Sequence, residues 1–161
     1  MSKIRLGVAG ANGAFGIKHL EALRAISDVD ITAVMATTME KATGVADRFD
    51  VPLRFDDYDT FIASDRVDAI ILATPTQLHA EQGIKAMAAG KHVLVEIPMA
   101  DSLADSERLV AKQAETGLVG MVGHVRRFNP SHQWVHNEIS KGALSIQQMD
   151  VQTYFFRRTN M

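Results

Sequence analysis

The stretch Ile4-Arg5-Leu6-Gly7-Val8-Ala9-Gly10-Ala11-Asn12-Gly13-Ala14-Phe15-Gly16 decides the fold. Its first six residues form a short, mostly apolar run, which reads as a buried strand. A glycine-rich turn follows, and then Phe15, Leu20, Leu23 and Ile26 recur at helical spacing, which predicts a helix over 14–27. Strand, glycine turn and helix in that order can hold the pyrophosphate of a dinucleotide. The first glycine permits a tight turn, the second lets the backbone approach the phosphates, and the third lets the helix pack close on the strand. The helix start adds free N–H groups and the positive end of its dipole. Gly10, Asn12, Gly13, Ala14, Phe15 and Gly16 are the expected contacts. The spacing is Gly-x-x-Gly-x-x-Gly, with Asn12 where G-x-G-x-x-G would place its second glycine. A turn one residue longer serves the same purpose, and asparagine tolerates left-handed backbone angles. Glycines in such turns also serve packing alone, so the flanking strand and helix carry the reading.

The chain of 161 residues has room for one domain, or one and part of a second. Its hydrophobic content of 47% supports a packed core, and its formal net charge of −2, without a dense basic run, gives no reason to expect nucleic acid. It contains no cysteine, so these residues offer neither disulfides nor thiolate catalysis. No apolar segment is long enough to span a membrane, and Met1-Ser2-Lys3 leads straight into the first strand rather than into a leader. A cytoplasmic protein is the expectation.

A second strand is expected over 29–36. Domains that bind NAD usually end this strand on Asp or Glu, about 20 residues after the glycines, to take the ribose 2′-hydroxyl. Here Ala36, Thr37 and Thr38 stand there, with Lys41 one helical turn on. Two hydroxyls and no carboxylate favour NADP over NAD, while either threonine also suits the cap of a helix over 39–49. Further strands are expected over 52–55, 67–73, 92–95 and 118–123, and helices over 58–64, 77–89 and 102–116. The run Val67-Asp68-Ala69-Ile70-Ile71-Leu72-Ala73 is nearly continuous and apolar, as in a strand covered on both faces. This alternation gives an α/β fold, a doubly wound parallel sheet of the Rossmann type. Ligands of such sheets sit beyond the carboxyl ends of the strands. That rule selects residues 10–16, Thr37-Thr38, Thr74-Pro75-Thr76, Glu96-Ile97-Pro98, and His124 with Arg126-Arg127, which are expected to line one crevice.

After Gly123 the alternation stops. A helix is expected over 131–141 and a strand over 144–156, where Met149, Val151, Thr153 and Phe155 alternate with Gln148, Asp150, Gln152 and Tyr154. The apolar face of that strand needs a partner. The expected organisation is a dinucleotide-binding domain over 1–123, then, over 124–161, a connector with the first helix and strand of a truncated α/β second domain.

Three runs resemble the Gfo/Idh/MocA family, the glucose–fructose oxidoreductase and inositol dehydrogenase group. They are Ala73-Thr74-Pro75-Thr76-Gln77-Leu78-His79, then Ala89-Gly90-Lys91-His92-Val93-Leu94-Val95-Glu96-Ile97-Pro98, then Gly123-His124-Val125-Arg126-Arg127-Phe128-Asn129-Pro130. The resemblance implies a first domain that binds NAD(P) and a second that supplies substrate and subunit contacts, hence a homo-oligomer. The family pattern Glu-Lys-Pro is broken by Ile97, which cannot move a proton, so the family's lysine role does not carry over. The run 95–98, the stretch 124–130 and the tail resemble a branch that oxidises the cyclic hemiacetal of a polycarboxylate semialdehyde with NADP. This implies a polycarboxylate substrate.

Within this frame Pro75 and Pro98 rigidify the crevice loops and can pack on the nicotinamide or its ribose. Glu96 suits a ribose hydroxyl or the nicotinamide, or is simply a satisfied loop carboxylate. His79 reads as structural before catalytic, with a hydrogen bond inside the cofactor site as its other reading. Arg126 and Arg127 suit a carboxylate substrate, with salt bridges as the plain alternative. His124 is the candidate base, and the base can equally lie outside these residues. His132 and His136 share a helix face at i, i+4, but no third ligand is near in sequence, and no metal is expected. Two functional readings stand: an NADP-linked dehydrogenase acting on a hemiacetal or alcohol, and a nucleotide-binding module without activity of its own.

Overall fold

Strand β1 (Ile4–Ala9) is the centre from which the sheet is built in both directions. The computed structural model describes residues 3–152. β1 pairs in parallel with β2 (Val29–Met35) on one edge and with β4 (Ala69–Leu72) on the other. β3 (Leu53–Phe55) extends the first side, and β5 (His92–Val95) and β6 (Gly120–Val122) extend the second. The order β3-β2-β1-β4-β5-β6 is the doubly wound Rossmann order, with its reversal between β1 and β4. Parallel neighbours need long crossovers. These are supplied by α1 (Ala14–Leu23), α2 (Met39–Phe49), α3 (Tyr58–Ala63), α4 (Thr76–Ala88) and α5 (Leu103–Thr116).

Successive side chains of a strand point to opposite faces, so two cores form. Val8, Val34 and Ile71 pack with Leu20, Leu23, Val45 and Phe49 of α1 and α2. Ala9, Met35, Ile70, Leu72, Val93 and Val95 pack with Phe61, Ile62, Ala86, Met87 and Leu109 of α3, α4 and α5. Burial on both faces is why the β4 region reads as an unbroken apolar run.

Several boundaries differ from expectation. α1 ends at Leu23 rather than 27, so Ile26 lies outside it, and Phe15 is 63% exposed. The buried face of α1 is set by Gly16, Leu20 and Leu23 instead. The expected strand 67–73 narrows to Ala69–Leu72. Ahead of it Asp68 is taken up by Arg5: the guanidinium Nε and the main-chain N–H of Arg5 each donate to Asp68 Oδ2 at 3.0 Å, and the Asp68 N–H donates to the Arg5 carbonyl at 2.7 Å.

These bonds, the guanidinium first among them, hold the Asp68 carboxyl down at about 2 against the opposing effect of desolvation. A depressed folded-state value contributes stability above the unfolded value, near 4, and that contribution is lost as the pH falls toward 2. The pair is partly exposed, so its worth is about 1 kcal/mol or less. Asp68→Asn is therefore expected to lower Tm slightly at neutral pH. Thermal melts from pH 5 to 2 should show the gap to wild type closing through that window. A gap that stays constant would contradict the assignment.

Contact density divides the chain into one unit over 1–123 and another over 124–161. In the second, a 3₁₀ turn (Val125–Phe128) leads to α6 (Pro130–Ser140). Asn129 caps α6 by accepting from the N–H groups of Ser131 and His132, and Pro130 occupies the first turn, where its missing N–H costs nothing. The strand expected over 144–156 is not formed over 144–152, and its remainder lies outside the described residues. Alternation gives a strand a face, but its main-chain groups also need a neighbouring strand to bond to.

Candidate dinucleotide-binding site

The carboxyl ends of β1, β2, β4 and β5 share one edge of the parallel sheet, and their turns touch. The Ala11 N–H donates to the Met35 carbonyl at 3.0 Å, which joins the glycine turn to the end of β2. Gly10 has φ +74°, and a Cβ there would stand 2.4 Å from the Ala73 carbonyl oxygen beyond β4. A Cβ on Gly16 would stand 2.3 Å from the Gly10 oxygen. Glycine is thus required at both ends of the turn. Gly13 is the N-cap of α1, and no side chain caps the helix. The N–H groups of its first turn therefore have no side-chain acceptor, and an anion is the partner that their charge and direction suit. Asn12, Ala14 and Phe15 are exposed beside them. The turn fits a pyrophosphate.

At the end of β2, Thr37 and Thr38 are exposed. Thr38 Oγ1 accepts from the Lys41 N–H at 3.3 Å as the cap of α2, and Lys41 Nζ donates to Thr37 Oγ1 at 3.3 Å. One ammonium and two hydroxyls gather there.

The turns after β4 and β5 are bound to each other. Thr74 Oγ1 donates to Gln82 Oε1 at 2.6 Å, and Pro75, exposed, precedes Thr76 at the start of α4. His79 is buried, with Nε2 at 2.8 Å from the Thr74 carbonyl oxygen and Nδ1 at 2.8 Å from that of Pro98. Glu96 is buried as well, its Oε1 2.6 Å from Nε2 of His19 on α1. Gly123 leaves room for that carboxylate: a Cβ there would lie 3.0 Å from Glu96 Oε1. Between them Ile97 is 41% exposed, and the Ile97–Pro98 peptide is cis. The side chains of Glu96 and His79 are thus engaged within the protein, while Ile97 and Pro98 are the exposed surface of the turn.

His19 escaped the reading of the sequence. Its partner lies 77 residues away, and only the sheet order brings the two together. A local signal existed: His19 sits between Gly16 and Leu23 at helical spacing, on the face of α1 that packs inward.

In the second unit, Arg126, Arg127, His132, Gln133, His136 and Asn137 line an open cleft of about 780 Å³. His132 Nδ1 donates to the Arg126 carbonyl at 3.0 Å. The two arginines and the histidine pair are thereby brought together. His124 is exposed at the N-cap of the 3₁₀ turn, outside the lining of that cleft. Among the described residues no three His, Asp or Glu side chains gather as a metal cage, and no helix is long and apolar enough to cross a membrane.

A family described as "Oxidoreductase family, NAD-binding Rossmann fold" matches residues 4–124, the whole sheet with its turns. The chain belongs to the Gfo/Idh/MocA oxidoreductases. A second family, "Bacterial oxidoreductases, C-terminal", matches residues 130–161. Among curated relatives, the 4-carboxy-2-hydroxymuconate-6-semialdehyde dehydrogenase of a Sphingobium species is 57% identical over 98% of this chain and 50% of its own length. A scyllo-inositol 2-dehydrogenase (NADP(+)) of Bacillus subtilis is 31% identical over 86% of the chain and 42% of its own length. Among solved structures, a 3-ketoreductase from Actinomadura kijaniata in complex with TDP-benzene and NADP superposes with a TM-score of 0.81 at 31% identity, over 89% of this chain and 45% of that one. The chain therefore spans about half the length of the curated Gfo/Idh/MocA relatives it matches.

Proposed function

We propose that the chain carries the cofactor half of an NADP-linked dehydrogenase that oxidises a hemiacetal or alcohol carbon of a polycarboxylate, of the type of 4-carboxy-2-hydroxymuconate-6-semialdehyde. The observation that carries the choice of cofactor is the group formed by Thr37, Thr38 and Lys41 at the end of β2. Residues 36–38 hold no carboxylate to repel a 2′-phosphate; the nearest in sequence, Glu40, lies in the first turn of α2. The nicotinamide, when bound, supplies the hydride acceptor. Gly10, Gly13 and the first turn of α1 hold the pyrophosphate, and the turns at 74–76 and 96–98 bound the site on its other side.

The choice of substrate is supported by the 57% identical relative and by the paired guanidinium groups of Arg126 and Arg127, which suit carboxylates. Ile97 neither takes nor gives a proton, so the hydroxyl proton needs another base, for which His124 is the proposed residue. Residues 1–123 then act as the cofactor domain, and those after Gly123 belong to a domain for substrate and self-association in a cytoplasmic homo-oligomer.

Titration with NADPH and NADH, followed by the fluorescence of the reduced nicotinamide, tests the proposal. NADPH should bind at least about tenfold more tightly. Replacing Thr37 and Lys41 together by Ala should weaken NADPH about 10- to 100-fold and leave NADH unchanged, the loss expected for one or two bonds to a charged group. Equal affinity for the two nucleotides would overturn the NADP reading. Reduction of NADP by the polycarboxylate semialdehyde, assayed with the protein encoded by the whole reading frame, tests the substrate.

A further inference from the structure

We propose that His19 is a positioning residue: through Glu96 it ties α1, the helix of the glycine turn, to the turn after β5, and so sets where the nicotinamide end of the dinucleotide rests. His19 lies one helical turn after Gly16, and Glu96 is the first residue beyond β5. Along β5, Val93 and Val95 enter the core with α3, α4 and α5, while Leu94 packs on the core with α1 and α2. Glu96, two residues after Leu94, turns to the same side. There its Oε1 accepts from His19 Nε2 at 2.6 Å, and the side chains are only 9% and 19% exposed. The bond asks only for a proton on Nε2, which one neutral tautomer carries as well as the charged ring. At this burial, losing either partner leaves the other poorly satisfied.

The sheet and a third element hold the same carboxylate. The Glu96 N–H donates to the Leu72 carbonyl of β4 at 3.1 Å, which makes Glu96 the residue where the sheet hands over to the turn. Beyond β6, the Gly123 N–H donates to the Val95 carbonyl at 2.8 Å. A Cβ on Gly123 would stand 3.0, 3.2 and 3.3 Å from Oε1, Cδ and Oε2 of Glu96. The carboxylate is thus seated between a side chain of α1 and the bare Cα after β6, in a space that one added methyl would take. Ile97 and Pro98, both exposed, follow at once. The direction in which they leave the sheet is set by how Glu96 is seated.

A doubly wound sheet takes a dinucleotide across its reversal, one nucleotide to each half. In the proposed site β1, β2 and β3, with Thr37 and Thr38, form the half for the adenosine and its 2′-phosphate. β4, β5 and β6 form the half for the nicotinamide riboside. The first turn of α1 stands between them and takes the pyrophosphate. A bond from α1 to the first residue of the β5 turn therefore fixes the distance from the pyrophosphate to the surface on which the nicotinamide lies. The adenosine half lies on the other side of the reversal from this bond. The role rests on reading these turns as the dinucleotide site.

Calorimetric titration of the whole chain with NADPH and with 2′-phospho-ADP tests the role. The second ligand keeps the 2′-phosphate and the pyrophosphate but lacks the nicotinamide riboside. His19→Leu should bind NADPH about tenfold more weakly and bind 2′-phospho-ADP within about twofold of wild type. His19→Gln, whose amide can donate to Glu96 in place of Nε2, should recover most of the NADPH affinity. Gly123→Ala presses on the same carboxylate without touching α1, so it should weaken NADPH with the same selectivity. It decides the question if His19→Leu does not fold. Equal losses for the two ligands would mean a structural role alone, and no loss for either would mean that the turn keeps its place without the bond. Each of these overturns the proposal, as does a His19→Gln variant no better than His19→Leu. A wild type that binds neither ligand would overturn the dinucleotide reading itself, and this role with it.

Discussion

Gly10→Ala is expected to weaken NADPH binding about 10- to 100-fold and to lower stability by roughly 2–5 kcal/mol. The affinity loss corresponds to one or two main-chain bonds to an anion displaced from line. The stability loss has two sources. A side chain at φ +74° costs about 1–2 kcal/mol. A Cβ placed 2.4 Å from the Ala73 oxygen forces backbone apart, for about 1–3 kcal/mol more. At the size of this chain the fall in Tm is of order 10 °C. Nucleotide titration and a thermal melt on the same sample measure both effects. Wild-type affinity in a destabilised variant would show that this turn does not hold the pyrophosphate.

Phe61→Ala is expected to cost about 3–5 kcal/mol, the range for deleting a buried aromatic ring. Phe61 is fully buried on α3, stands edge-on to Phe55 with centroids 5.6 Å apart, and fills the space above Gly7, where a Cβ would lie 2.6 Å from the ring. No neighbour can follow the ring into the cavity without moving β1. Urea unfolding should show a lower midpoint with an unchanged slope. Because α3 carries none of the turns proposed to hold the nucleotide, NADPH affinity per folded molecule should stay at the wild-type value. The two substitutions thus separate damage to the core from damage to the site, and an affinity loss in Phe61→Ala would mean that the two are coupled.

What could be read in advance follows from how local each signal is. The strand at 4–9, the apolar run around Ile70 and Ile71 and the threonines that can cap the helix over 39–49 are contained in windows of a few residues. They therefore yielded the alternation and hence the sheet. The glycine turn was legible as a unit, although the steric demand falls hardest on Gly10 and Gly16 while Gly13 leaves 3.2 Å to its nearest neighbour. A satisfied Glu96 and a structural His79 were among the readings, but their partners, His19 for one and the Thr74 and Pro98 carbonyls for the other, were not legible. Each depends on a partner from another strand or turn, and nothing near Glu96 announces His19. The strand expected over 144–156 shows the reverse limit. Its alternation is a sound local signal, but pairing is a non-local condition that the residues over 144–152 do not meet.

The position of β1 between β2 and β4 also bears on how the chain is made. Synthesis proceeds outward through β2 and β3 on one side, and only afterwards does β4 return to the other edge of β1. Arg5 and Asp68, joined across that edge, are 63 residues apart. At about 5–20 residues per second this separates their emergence by roughly 3 to 13 s. For that interval the nascent β1 has one unpaired edge, with Gly7, Val8 and Ala9 open to the wrong partner. The place where Gly10 meets the Ala73 carbonyl is consequently a seam between an early half and a late half, and whatever binds there can act only on a chain whose two halves have already met.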